Sequence, residues 1–172
     1  MDAPGGRTDA AVLIPMHGWP ENPGLVFTER RGDLRRHAGE VSFPGGRRDS
    51  GEELLETALR EAEEEIGLDR DRVEVVGALP PVGTFVTGYK IHPFVGLIEA
   101  GLRFEPNPAE VESVLVASLD DLRAGYGKRR LVRRGMPIKT DSYVVGAALI
   151  WGATARILGD LLERLNRIKE AR

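Results

Sequence analysis

Residues Gly46–Leu68 read GRRDSGEELLETALREAEEEIGL. Within them Leu55, Leu59, Ala62 and Ile66 recur at intervals of four, three and four, the period of a helix with one apolar face. The predicted helix runs from about Gly51 to Ile66. Ser50 and Glu53 are spaced as an N-terminal capping box, and Gly67 stands where a helix commonly stops. At about 100° per residue, Glu61, Glu64 and Glu65 fall within an arc of roughly 100°, turned away from the apolar stripe. They are therefore expected to share one exposed patch, beside a further acid at Glu63. Like charges three and four residues apart repel, and a cation would relieve them. Acidic runs of this kind are commonly just solvated helix faces. The preceding FPGG, Phe43–Gly46, alters the reading, because paired glycines allow a backbone to approach a metal or phosphate closely.

Working outward, a chain of 172 residues suits one domain, expected to span residues 1–172 with a core of its own. Hydrophobic residues at 41% and charged residues at 30% are the balance of a soluble globular protein, which argues against a disordered or fibrous one. The absence of cysteine excludes disulfides, zinc–thiolate sites and a cysteine nucleophile. MDAPGGRTDA at the N-terminus lacks the basic-then-apolar order of a signal peptide, and no apolar run approaches the ~18 residues of a membrane span. A cytoplasmic protein with no membrane contact is the expectation. The net charge of −3 gives no sign of a nucleic-acid partner. KRRLVRRGMPIK, Lys128–Lys139, is basic but lacks aromatics for base stacking. It reads as a solvated hairpin, with a secondary role near an anionic substrate left open.

Strands are expected at Ala10–Met16, Leu25–Arg30, Val73–Leu79, Tyr89–Ile98 and Val114–Leu119, each short and bounded by Gly, Pro or charge. A second helix is expected from about Val144 to about residue 170, with Ile150, Ile157, Leu158, Leu161, Leu162, Leu165 and Ile168 as its stripe. Strand-like runs interrupted by two helices, without regular alternation, indicate an α/β fold of the α+β kind. The apolar helix surfaces leave a homodimer open.

The stretch Gly46–Leu68 resembles the Nudix box: G, five residues, E, seven residues, then R-E-U-x-E-E-x-G-U with U apolar. Gly46, Glu52, Arg60, Glu61, Glu64, Glu65 and Gly67 all fall in register, with Ala62 and Leu68 at apolar positions. The resemblance implies the Nudix fold, a mixed sheet sandwiched between helices, and a hydrolase of diphosphates. It implies that Glu61, Glu64 and Glu65 bind divalent cations, with the Gly45 carbonyl as a further ligand; all-oxygen ligands suit Mg²⁺ or Mn²⁺. Arg60 would orient the glutamates, and Glu52 would be structural near the helix start. A plain Glu56–Arg60 ion pair is the alternative for Arg60. A later loop often supplies a fourth acid in this superfamily; NPAEVESVL offers Glu110 and Glu112, of which Glu110 fits better.

Upstream, LVFTERRGDLRRHAGEVSFPGG, Leu25–Gly46, resembles the motif that precedes the box in coenzyme A pyrophosphatases. Thr28, Arg30, Arg35, Gly39 and Phe43–Gly46 are in register; Arg31 replaces the usual Ser or Ala, and Phe27 a usual Leu. Ile150–Glu163, IWGATARILGDLLE, is similar to the closing helix of the same family. Trp151 in it could simply pack a helix on the sheet. The resemblance implies coenzyme A or an acyl derivative as substrate, cleaved to 3′,5′-ADP and 4′-phosphopantetheine. Arg30 and Arg35 would grip its phosphates through guanidinium forks, with His37 either joining them or holding the loop. Arg47 and Arg48 could reach a phosphate or lie in solvent. Two other readings stay open: a Nudix enzyme for ADP-ribose or another nucleoside diphosphate derivative, and a catalytically dead module that binds a nucleotide.

Overall fold

The computed structural model describes residues 8–33, 39–84, 87–133 and 135–172. In chain order the elements are β1 (Thr8–His17), β2 (Gly24–Arg30), β3 (Val41–Ser42), β4 (Gly45–Arg47), α1 (Leu54–Ile66), β5 (Glu74–Ala78), β6 (Val82–Gly83) and β7 (Tyr89–Ile98). There follow β8 (Val111–Ser118), α2 (Leu119–Ala124), β9 (Tyr126–Arg133), β10 (Met136–Val145), β11 (Ala148–Ile150) and α3 (Gly152–Glu170).

β1 organises the larger sheet. It runs parallel to β7 along its whole length, from Thr8 opposite Tyr89 to His17 opposite Ile98, and antiparallel to β2 and β4. The order is β3-β2-β1-β7-β5, with β4 on β1, β6 on β7 and β8 on β2. The pleat sends alternate β1 residues to opposite faces. Ala11 and Leu13 join Val26, Ile98 and the Ala58, Ala62 and Ile66 face of α1 in one core. Ile14 and Met16 join Leu25, Phe27, Phe43 and the inner face of α3 in the other. A mixed sheet thus lies between helices, as expected for this fold. A second sheet, β11-β10-β9, packs with α3 on the same side. The hairpin expected at Lys128–Lys139 is the β9–β10 pair, in which Ile138 faces Leu131. Among the described residues, no helix is long and apolar enough to cross a membrane.

Three local expectations are corrected. The first helix begins at Leu54, not Gly51, and Glu53 at its N-cap makes no side-chain capping bond. The capping box does not form because residues 49–52 close a turn of their own, the Glu52 N–H bonding to the Asp49 carbonyl at 3.1 Å. Gly67 does stop the helix, at φ 68°. Along α1 the inward stripe is Ala58, Ala62 and Ile66, flanked by Leu54 and Leu59, without Leu55. The last helix begins at Gly152, not Val144: Val144 and Val145 close β10, the chain turns at Gly146 (φ 57°), and Val145 pairs back with Ala148. Two adjacent β-branched residues favour that extended backbone over a helical one. Ile157, Leu158, Leu161, Leu162 and Leu165 are buried as expected, whereas Ile168 is 44% exposed and ends the stripe.

Candidate active site

The sequence places three glutamates together on α1; the fold separates them by environment. Glu65 is buried and the Glu61 side chain is 15% exposed, while that of Glu64 is 54% exposed. The single exposed patch is therefore not what forms. α1 lies against β4, so the arc carrying Glu61 and Glu65 faces the glycine strand, and only Glu64 looks outward. A Cβ built on Gly46 would stand 2.6 Å from the Glu61 carboxyl carbon. At Gly45 it would collide with the Ala11 carbonyl and Val12. Gly46 thus admits a carboxylate to the backbone, and Gly45 admits the backbone to β1.

Arg60 is the hub of the cluster. Its Nε donates to Glu52 Oε2 at 2.8 Å, and its Nη2 donates to Glu52 Oε1 at 3.1 Å and to the Arg47 carbonyl at 3.3 Å. Nη1 reaches Glu61 Oε1 at 3.1 Å and Glu64 Oε2 at 3.2 Å. Glu52 Oε1 also accepts from the buried Thr57 hydroxyl at 2.6 Å and the Asp49 N–H at 3.2 Å. Arg60, then Thr57, hold the Glu52 carboxyl down at about 2. Glu56 pairs with Arg70 at 2.9 Å, so the plain Glu56–Arg60 bridge is not present.

The inner carboxylates behave oppositely. Burial, then the charges of Glu61 and Glu110, push the Glu65 carboxyl up to about 8, although the Gly45 N–H bonds to it. Burial also raises Glu61, against the opposing pull of Arg60. Glu61 beside it acts in the same direction as burial, so the Glu65 carboxyl favours its protonated form. Glu110 arrives from the loop before β8. The Asn107 N–H bonds to the Glu65 carbonyl at 2.8 Å and the Glu105 N–H to the Ile66 carbonyl at 2.9 Å, tying that loop to the end of α1. Among the described residues, no three acidic or histidine side chains already have their ligating atoms gathered around one point. The donor chemistry nevertheless fits a hard divalent cation: carboxylates approach one another in a partly buried place, and a cation there would offset the burial and repulsion that raise Glu65.

Of the remaining candidates, Arg30 sits at the end of β2, and Arg35 and His37 lie outside the described residues. Arg48 pairs with Asp9 at 3.2 Å, and Asp9 also meets His92 Nε2 at 3.0 Å. Sequence reasoning missed this triad, since Asp9 and His92 meet only through the parallel β1–β7 pairing. It also missed a cleft of about 600 Å³ on the α3 side of the sheet. Arg30, Glu40 and Ser42 line it, together with Arg133, Trp151 and Arg156.

Residues 7–135 match the NUDIX domain family model. The chain belongs to the Nudix family. Curated Nudix relatives cover most of it: the uncharacterized Nudix hydrolase NudL of Citrobacter koseri is 42% identical over 163 residues, 90% of this chain and 81% of that protein. NudL of Photorhabdus laumondii is 39% identical over 160 residues, 91% of this chain and 84% of that protein. Among solved structures, the Nudix hydrolase RenU of M. smegmatis matches with a TM-score of 0.58 at 22% identity, over 69% of this chain and 75% of that one, a likeness of fold. The chain is a Nudix hydrolase by family, and hydrolases of this kind generally use divalent metals such as Mg²⁺ or Mn²⁺.

Proposed function

We propose that this Nudix hydrolase cleaves the diphosphate of coenzyme A or its acyl derivatives into 3′,5′-ADP and 4′-phosphopantetheine. The observation that carries the hydrolytic part is the convergence of Glu61, Glu65 and Glu110, from two separate segments, beside the Gly45–Gly46 strand. The substrate rests on Leu25–Gly46, whose Thr28, Arg30, Arg35 and Gly39 stand in the register of coenzyme A pyrophosphatases.

Glu61, Glu64, Glu65 and Glu110, with the Gly45 carbonyl, would hold Mg²⁺ or Mn²⁺, which neutralises a diphosphate and makes water a better nucleophile at neutral pH. The chain's own residues do the rest. Arg60 turns the Glu61 and Glu64 carboxylates toward one another from a frame fixed by Glu52. Glu65, raised by burial, favours a proton at its carboxyl and would release it as a ligand to the cation. Arg30, and Arg35 with His37, would grip phosphate on the substrate side. The intact set Glu61, Glu64, Glu65 and Arg60 argues for turnover over a purely binding role.

The test is a panel of coenzyme A, ADP-ribose, NADH and an oxidised nucleoside triphosphate with Mg²⁺ or Mn²⁺, products separated by chromatography. Consumption of coenzyme A in preference to the others is expected. If coenzyme A survives while ADP-ribose or another nucleoside diphosphate derivative is consumed at the same enzyme dose, the substrate is wrong and only the diphosphatase reading stands.

A further inference from the structure

The α3-side cleft is linked to the carboxylates by one short piece of chain. Ser42 lines the cleft, and Phe43–Pro44 lead from it directly to Gly45, whose N–H bonds to Glu65. At the other side of the same end, Arg30 lines the cleft, and the next residue, Arg31, bonds through its N–H to the Glu110 carbonyl at 3.1 Å. These two short links of chain, from Ser42 to Gly45 and from Arg30 to Arg31, are the path along which a molecule whose diphosphate lies against the glutamates would continue into the cleft.

The lining is specific in kind. Tyr89, Ile91, Ile138 and Trp151 give apolar and aromatic walls, and Thr84, Thr140 and Thr154 give hydroxyls. Three of the side chains are cationic, Arg30, Arg133 and Arg156, against a single acid, Glu40. Arg133 lies over the Trp151 ring, its guanidinium carbon 4.7 Å from the ring centroid. A guanidinium stacked on indole keeps its charge and its N–H edge while losing side-chain freedom, so it is prepared for a planar or tetrahedral anion. Arg156 is held from behind by a bond to the Gly83 carbonyl at 2.7 Å. The first turn of α3, Gly152–Thr154, completes the wall and adds the positive end of its dipole. The volume lies within the range of small-molecule sites.

We infer that this cleft takes the phosphorylated nucleoside half of the substrate, and that Arg133, steadied on Trp151, reads a phosphomonoester distant from the bond that breaks. The inference rests on the coenzyme A reading, in which that group is the 3′-phosphate. It makes Arg133 a specificity residue supplied by the β9–β10 hairpin, well away in sequence from both the box and the motif before it.

The decisive measurement compares kcat/KM for coenzyme A and 3′-dephospho-coenzyme A in wild type, Arg133→Ala, Arg133→Lys and Lys128→Ala, an exposed charge elsewhere on the hairpin. One lost charge-assisted contact predicts a wild-type preference for the phosphorylated form of about tenfold or more. Arg133→Ala should erase the preference through KM and leave the dephosphorylated substrate within about twofold of wild type. Arg133→Lys should restore part of it, and Lys128→Ala should leave it unchanged. Equal wild-type efficiency on both substrates, or an equal loss on both in Arg133→Ala, overturns the inference while leaving the activity in place. Calorimetric titration with adenosine 3′,5′-bisphosphate and 5′-AMP in Mg²⁺ separates the two readings if coenzyme A is not cleaved. Tighter, Arg133-dependent binding of the bisphosphate upholds the cleft without the substrate, and indistinguishable binding of the two nucleotides removes it.

Discussion

Glu52 and Arg60 are joined by two hydrogen bonds, Nε to Oε2 at 2.8 Å and Nη2 to Oε1 at 3.1 Å. The guanidinium that touches Glu61 and Glu64 is thus oriented by an acid that lies outside the helix. Glu52→Gln replaces an acceptor with a donor facing Arg60, and frees the guanidinium to turn. The expected outcome is a fall in kcat with little change in KM, together with a loss of about 2 kcal/mol in chemical denaturation. An unchanged kcat would reduce Glu52 to a purely structural role.

The two shifted carboxyls give the metal-free protein opposite responses to pH. Glu65 is raised to about 8 in the fold from an ordinary value of 4.5, so its contribution is complete below that ordinary value and lost as pH rises through about 8. Glu52 is held at about 2, so its contribution is present above 4.5 and lost as pH falls toward about 2. Thermal melts in chelator should therefore decline on both sides of weakly acidic pH. Mg²⁺ should remove the alkaline decline alone, because a cation takes the place of the Glu65 proton. An alkaline limb that Mg²⁺ does not change would mean that Glu65 is not exchanging its proton for metal.

Glu65→Gln and Glu64→Gln should both abolish turnover but part company in stability. At alkaline pH without metal, Glu65→Gln removes a buried ionising group and should raise the melting temperature. Glu64 is half exposed and bound to Arg60, so Glu64→Gln should change melting by no more than about 0.5 kcal/mol. Full activity in either variant rules out the catalytic role given to that residue.

Adjacent glycines should fail differently on gaining a methyl group. Gly46→Ala meets the end of a side chain, so Glu61 is pushed aside and activity falls while the fold survives. Gly45→Ala meets the backbone of β1 and should cost stability first, on the order of 1–3 kcal/mol. Circular dichroism melts beside initial rates would show whether the two effects separate.

Much of this was legible where a residue's period and its chemistry agree. β7 falls at Tyr89–Ile98 as expected, and the Ala62–Ile66 face of α1 follows from its spacing. Glu65 was harder, because periodicity marks the face that meets apolar neighbours and says nothing of a face that meets a polar glycine strand. Glu110 could be named from its neighbourhood in sequence, but its approach to Glu61 and Glu65 depends on backbone bonds from Glu105 and Asn107 to the end of α1. Val144 and Val145 fit either period, and only the turn at Gly146 decides for strand. The Arg133–Trp151 stack joins residues with a hairpin between them and leaves no local mark.

Those bonds to the end of α1 give the loop before β8 an unusual accounting of length. Surface connections ordinarily absorb an added or deleted residue with little harm. Here the segment is pinned at Glu105 and Asn107 and again where Val111 pairs with Arg30, so the steps from Asn107 to Glu110 act as a ruler. One residue more or less would carry the Glu110 carboxylate off target while every element of the fold stayed in place. On the role proposed for Glu110, spacing along this loop matters as much as the identity of any acid in it.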